Sequence, residues 1–394
     1  MAEVVVCGAV WLLLCACVCQ CCPRANVLLV IVDDLRPALG CYGAPVHSPH
    51  IDALAGDGLL FQNAYAQHLL HHVAVGCSSQ VCRMRCALLF SQSLCGPSRT
   101  SLLTSRRPDV LHTWANSQGY WRTRTANFST LPQYFRRHGY FTTSIGKVFH
   151  PGRLSGHTDD WPYSWSRKPW HPPAQKYHKA PVCPPLLNQS ETPLANNLVC
   201  PVSLWPQPMH TLPDIQSVQK TLHFLRHSAP TKQPFFLALG LHKPHIPFKY
   251  PKQFLALYPL ENISLPGLRT RPPRTPPVAW NPFMDLRERD DISALHLAFP
   301  YGTFPQHWQS MCVFYKLLVQ SYYASVSYVD SLVGEVLAGV RGAGVLHNTT
   351  IVLTSDHGWS LGEHGEWAKY SNYGVATRVP LIIRPPDSAS PRLF

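Results

Sequence analysis

The first strongly patterned stretch, Asn26 to Val32, is a continuous apolar and β-branched run, which predicts a strand buried on both faces of a parallel sheet. Asp33 and Asp34 follow it directly, at the carboxyl end where open α/β sheets carry their functional groups. Ser48 and Pro49 read as N-cap and first position of a helix running to Leu54. Beyond them, the spacing predicts helices over Thr130–His138, Ile215–His227 and Ser321–Val340. Strands are expected over Tyr140–Ile145, Pro234–Gly240, Thr350–Thr354 and Val379–Ile383. Helix and strand alternate, so the expected fold class is α/β, one large and mostly parallel sheet with helices on both faces.

Two stretches break this rhythm. Pro266–Pro282 is proline-rich and predicts a long ordered surface loop. His68–Ser93 carries His68, His71, His72, Cys77, Cys82 and Cys86, but their spacing matches no structural zinc pattern. That segment is expected to project as a loop with its cysteines in no fixed pairing.

At 394 residues with 45% hydrophobic content, the chain can bury one large core, and residues 25–394 read as a single domain. The formal net charge of +13 gives a field that attracts polyanions, nucleic acid or sulfated polysaccharide. No zinc-finger spacing, aromatic-interleaved basic run or helix-turn-helix pattern supports nucleic acid. The apolar run Val4–Cys19 is short for a bilayer span, so residues 1–24 predict a secretory signal peptide, and no other stretch suits a membrane anchor. The sequons at Asn127, Asn188, Asn262 and Asn348 fit an oxidising, glycosylating compartment, in which Cys183 and Cys200 are candidates for a short disulfide loop.

Candidate chemistry concentrates in Cys95-Gly96-Pro97-Ser98-Arg99 and the residues to Arg106, where the plainest reading is a free cysteine at a helix start with Pro97 near the first position. Asp33-Asp34 and Ser355-Asp356-His357-Gly358 end two predicted strands at one sheet edge. Paired acids there repel unless they share a proton or a cation, which favours a hard-metal site.

The segment Cys95–Arg106 resembles the sulfatase signature C-x-P-S-R-x-x-x-x-T-G-R, with Ser105 standing where the signature has Gly. This resemblance implies the alkaline-phosphatase-like sulfatase fold and oxidation of Cys95 to formylglycine (3-oxoalanine) by the formylglycine-generating enzyme. It implies one Ca²⁺ held by Asp33, Asp34, the modified Cys95, Asp356 and His357. In that scheme a hydrated aldehyde offers two hydroxyls; one attacks sulfur to give a covalent sulfate ester, and the other expels sulfate. Lys147 and Lys369 then hold the sulfate, Arg99 orients the modified residue, His150 deprotonates the second hydroxyl and His242 protonates the leaving sugar.

Longer segments, Gly146–Gly152, His242–Phe248 and Asp356–Asn372, resemble the branch of the family that acts on 2-sulfated iduronate. They imply hydrolysis of the 2-sulfate ester of L-iduronate in dermatan sulfate and heparan sulfate, in a lysosome reached through the secretory pathway, with Asp160 and Trp359 near the sugar. The alternatives are an inactive truncated glycoprotein retained in the endoplasmic reticulum, and another sulfatase or a phosphodiesterase of the superfamily, the last using Thr or Ser where Cys95 stands. Against the family pattern, His68–Ser93 is an insert, Met311–Leu318 is an addition interrupting the approach to the long helix, and the stop at Phe394 is expected to leave out a sheet edge and the smaller C-terminal subdomain.

Overall fold

The computed structural model describes residues 24–67, 93–184, 193–228, 233–267, 270–275, 286, 288–293 and 309–387. Apart from Arg24 and Ser93, the predicted signal segment and the insert therefore lie outside the described residues, as does most of the proline-rich loop.

Six strands form the main sheet: β1 (Asn26–Val32), β2 (Leu59–Leu60), β3 (Phe141–Gly146), β4 (Phe235–Leu241), β5 (Thr349–Ser355) and β6 (Leu381–Arg384), in the order β2-β6-β5-β1-β4-β3. β3, β4, β1 and β5 run parallel, and β6 pairs antiparallel with both β5 and β2. The expected last strand is split at Pro380: Arg378–Val379 pairs with Ala64–Tyr65, and only Leu381 onward joins the main sheet. Proline has no N–H to give to a ladder, which accounts for the break.

Central β1 is buried on both faces, as its unbroken apolar run predicts. Leu28, Val30 and Val32 enter the larger core, whereas Leu29 and Ile31 join Phe149, Trp165 and Phe236 on the opposite side. Five helices are referred to below: α1 (Pro49–Gly56), α2 (Cys95–Thr104), α3 (Leu131–Arg137), α4 (Pro213–His227) and α5 (Gln309–Gly342). The larger core takes Val218, Phe224 and Leu225 from α4 together with Tyr322, Val326 and Val329 from α5. The addition at Met311–Leu318 does not interrupt α5 but forms its first turns; Phe314, Tyr315 and Leu318 are buried, and Tyr315 stacks on Trp367 at 5.1 Å.

Capping follows local chemistry. Thr130 accepts from the Gln133 N–H while the Gln133 side chain accepts from the Thr130 N–H, a closed capping box for α3. Ser48 is the N-cap of α1 by position, but its hydroxyl bonds Asp52 instead of the helix backbone. The open N–H groups of His50 and Ile51 donate to Asp330 of α5, at 3.3 and 2.7 Å. At the other end of a helix, Ser105 closes α2 at φ 54°, a left-handed position that costs a side chain about 1 kcal/mol and that glycine adopts freely.

Two substitutions test these local arguments. Ser105→Gly should raise stability by about 0.5–1 kcal/mol in urea unfolding, and a loss would contradict the strain. Asp330→Ala strands two backbone donors and should cost about 1–3 kcal/mol, with a change under a few tenths counting against the cap.

Candidate active site and metal centre

The parallel strands deliver the site. β1 ends at Val32, level with Leu241 of β4 and Ser355 of β5, so Asp33, His242 and Asp356 emerge side by side. β3 ends at Gly146, which is paired with Gly240 and leads into Lys147. Gly146 turns at φ 76°, and a Cβ on Gly240 would lie 1.9 Å from the Lys147 carbonyl oxygen, so both glycines are needed for Lys147 to fold back over the strand ends. α2 approaches the same edge amino end first and buries Cys95, its first residue, at 1% exposure.

Arg99, one turn further along α2 and wholly buried, ties the edge together. Its Nη2 donates to Asp33 Oδ1 and its Nε to Asp356 Oδ2, both at 2.9 Å, and its Nη1 donates to the carbonyls of Lys147 and Val148. Lys147 Nζ pairs with the second Asp33 oxygen, and Lys369 Nζ donates to Asp34 Oδ1 at 2.9 Å and to Cys95 Sγ at 3.2 Å. Burial alone would raise the Asp33 carboxyl, but the Lys147 and Arg99 charges hold it well below the usual carboxylate range. Asp34 goes the other way: burial raises it, the adjacent Asp33 and Asp356 charges add to the rise, and Lys369 and His357 offset only part of it. Burial also pushes the Cys95 thiol up, with the Asp33 carboxylate adding to it, so an unmodified Cys95 is held as a neutral thiol.

A metal ion fits this donor set. Asp34 Oδ2 is buried and accepts no hydrogen bond, an uncompensated carboxylate oxygen in a dry site. Asp34 also sits at φ 60°, a left-handed conformation that costs a non-glycine residue free energy and recurs at functional sites. His357 Nδ1 lies 3.0 Å from the Gly358 carbonyl, which requires the proton on Nδ1 and leaves the Nε2 lone pair exposed. That Nε2 lies 3.3 Å from Cys95 Sγ, 3.4 Å from Asp34 Oδ1 and 3.6 Å from Asp356 Oδ2. Ligand atoms of Asp34, Cys95, Asp356 and His357 lie within 4.8 Å of one another, and so do those of Asp33, Asp34, Cys95 and His245. Carboxylate oxygens in this number suit a hard cation.

Beside this cluster opens a cleft of about 230 Å³, lined by Lys147, His150, His242 and His245 among others. His242 is held by Asp214, whose Oδ1 accepts from the His242 backbone N–H at 2.7 Å and faces the ring Nδ1 at 3.1 Å. The Asp–imidazole pair fixes the tautomer and leaves Nε2 for chemistry. Burial and the Lys147 charge push His150 down to about 3, so its imidazole stays neutral, and its Nδ1 is a buried atom without a hydrogen-bond partner.

The two residues expected near the sugar, Asp160 and Trp359, are both buried. Asp160 is fully buried and its carboxylate is saturated by Arg122, Tyr120 and Ser164. Trp359 is 2% exposed and packs against Phe248, with the Lys369 ammonium 5.8 Å from its ring centroid. Both support the walls rather than presenting groups to the cleft. Conversely, the sequence reading assigned nothing to Asp214 or His245. Asp214 sits in the first turn of α4, one residue before the predicted start, and only the fold brings it to His242; His245 was visible in His242-Lys243-Pro244-His245 but carried no distinguishing signal.

Residues 87–393 match the sulfatase family model. The chain belongs to the sulfatase family. It is 49% identical to the iduronate 2-sulfatase of Mus musculus over 367 residues, covering 93% of this chain and 60% of that protein. The Homo sapiens iduronate 2-sulfatase is likewise 49% identical, with 92% and 60% covered, so the chain spans 60% of the length of these relatives. Among solved structures, the phosphonate monoester hydrolase of Agrobacterium radiobacter superposes with TM-score 0.62 at 20% identity, over 92% of this chain and 68% of that one. That likeness carries the fold, which is the alkaline-phosphatase-like fold of sulfatases.

Removing the shared cation of this sulfatase site tests its architecture. Arg99→Met leaves two buried carboxylates without their bridge and should cost about 3–5 kcal/mol in denaturant unfolding. A loss below about 1 kcal/mol would mean that Arg99 is not what holds the strand ends together.

Proposed function

We propose that this chain carries the chemistry of a sulfuric ester hydrolase acting on the 2-sulfate of L-iduronate in dermatan sulfate and heparan sulfate, within lysosomal glycosaminoglycan degradation. The observation that carries the reading is a buried Cys95 ringed by Asp34, Asp356, His357 and Lys369, in a chain whose relatives at 49% identity are named iduronate 2-sulfatase. A neutral buried thiol is a poor nucleophile, which argues against thiolate chemistry and for conversion of Cys95 to formylglycine. Once formed, that group supplies paired hydroxyls on one carbon, and a Ca²⁺ held by Asp33, Asp34, Asp356, His357 and the modified Cys95 supplies positive charge for sulfate oxygens.

The remaining work falls to this chain's own side chains. Lys147 and Lys369 present ammonium groups to a bound sulfate beside Cys95. Arg99 fixes the carboxylates of Asp33 and Asp356 in place. His242, its Nδ1 held by Asp214, gives a proton from Nε2 to the departing sugar oxygen. His150, a neutral imidazole on the cleft lining, receives a proton. The cleft's cationic lining and the chain's +13 charge favour a sulfated polysaccharide over neutral sugars.

Cys95→Ala should abolish sulfate release from 2-sulfated iduronate oligosaccharides without lowering the melting temperature, and the parent Cys95 peptide should show the mass of formylglycine. Residual turnover near the parent level would refute the nucleophile. Adding Ca²⁺ to chelator-treated protein should raise the melting temperature, since a ligand of the folded state alone stabilises by about 2.7 kcal/mol at a hundredfold excess over Kd. An unmoved transition would speak against the metal reading.

A further inference from the structure

Lys249 is a cation of the cleft lining that the chemistry above does not use. It lies in the short strand Phe248–Pro251, which pairs in parallel with Val199–Val202 and is pinned beneath by the Cys183–Cys200 disulfide. Side chains alternate along a strand, so Phe248 and Tyr250 enter the core and Lys249 points the other way, into the cleft wall. There it is 8% exposed.

A buried ammonium is costly unless a carboxylate or strong acceptors replace its water. Among the described residues no carboxylate lies within ion-pair distance of Lys249; its Nζ reaches only the carbonyl oxygens of Tyr177 and His178, at 3.5 and 3.4 Å. The charge that acts on it is the Arg289 guanidinium, and burial with that repulsion brings its ammonium down to about 8. A second lysine, Lys243, lies on the same lining, its Nζ turned onto the carbonyls of His245 and Pro247. The lining also holds Gln175, Tyr177, His178 and Gln207, neutral groups able to hydrogen-bond an anion or a sugar hydroxyl. The cleft lining thus includes Lys249 as well as Lys147 and Lys243.

We propose that the wall around Lys249 is a second anion subsite, taking a carboxylate or sulfate from the sugar chain that carries the ester facing Cys95. The inference rests on the polysaccharide reading above. The subsite favours chains bearing regularly spaced negative charge over isolated sulfate monoesters, because the buried cation finds its counter-ion only when such a chain is bound. Lys249 is a specificity residue here and takes no part in bond breaking.

The test uses the full chain carrying Cys95→Ala, so that binding is read without turnover, with a heparin-derived sulfated tetrasaccharide as probe in titration calorimetry. Lys249→Met in that background should weaken binding at least tenfold, while Lys249→Arg stays within about threefold. The Met variant should melt no lower than its parent, because it removes an uncompensated buried charge; a structural role for the two carbonyl contacts would lower it. Lys249→Gln gives the same binding comparison should the Met variant not fold. Repeating the titration with carboxyl-reduced and with N-desulfated tetrasaccharide identifies the anion, as the probe for which Lys249→Met no longer matters. Equal affinity of the Met variant and its parent for every probe overturns the subsite. Absence of sulfate release by the Cys95 chain, with binding still dependent on Lys249, overturns the hydrolase reading and leaves the subsite intact.

Discussion

The arrangement depends on the burial of Asp33, Asp34 and Asp356 at one sheet edge. Three carboxylates in a dry volume repel, and the fold answers with a guanidinium that reaches two of them from below and two ammonium groups that approach from the sides. Arg99 cannot be replaced in this role by a point charge, since its planar fork meets oxygens on two different strands while still donating to the carbonyls of Lys147 and Val148. The compensation is incomplete at Asp34 Oδ2, and that shortfall is where a cation belongs.

Which parts of this were legible in the sequence follows from how local their causes are. β1, β3, β4 and β5 were located to within a residue or so because a two-sided buried strand leaves an uninterrupted apolar run, and Asp33-Asp34 and Asp356-His357 stood out as polar groups ending such runs. The helices were recognisable as well, though α5 begins well before Ser321, since the apolar residues of Met311–Leu318 were taken as an interruption when they continue the helical face. The site residues Cys95, Arg99, Lys147, His150, His242 and Lys369 came from resemblance rather than periodicity, and the structure brings Arg99, Lys147 and Lys369 into direct contact with the carboxylates and Cys95 Sγ to within 4.8 Å of them.

What stayed hidden is long-range. Nothing around Asp214 distinguishes it from any acid in the first turn of a helix; its function as the partner of His242 exists only once α4 lies against the end of β4. For Asp160 and Trp359 the fold shows partners that the chain alone did not. They sit beside the site in the chain, but neighbouring groups, Arg122 for one and Phe248 for the other, absorb them into the walls. Ser105 shows a third case, in which a departure from the family signature leaves the helix ending at a left-handed residue, at the cost of backbone strain.

The shared register of the parallel strands has a consequence for how such a chain can vary. Val32, Leu241 and Ser355 lie level, so one residue gained or lost inside any of these strands would turn its terminal side chain to the opposite face and strip the edge of an aspartate or a histidine. Length changes at the amino ends of the strands carry no such penalty, because nothing there must converge on a point. The molecule is therefore rigid in its bookkeeping of residues at one rim and permissive at the other, and insertions tolerated over evolutionary time should gather on the side away from Cys95 or in loops that begin and end outside the strands.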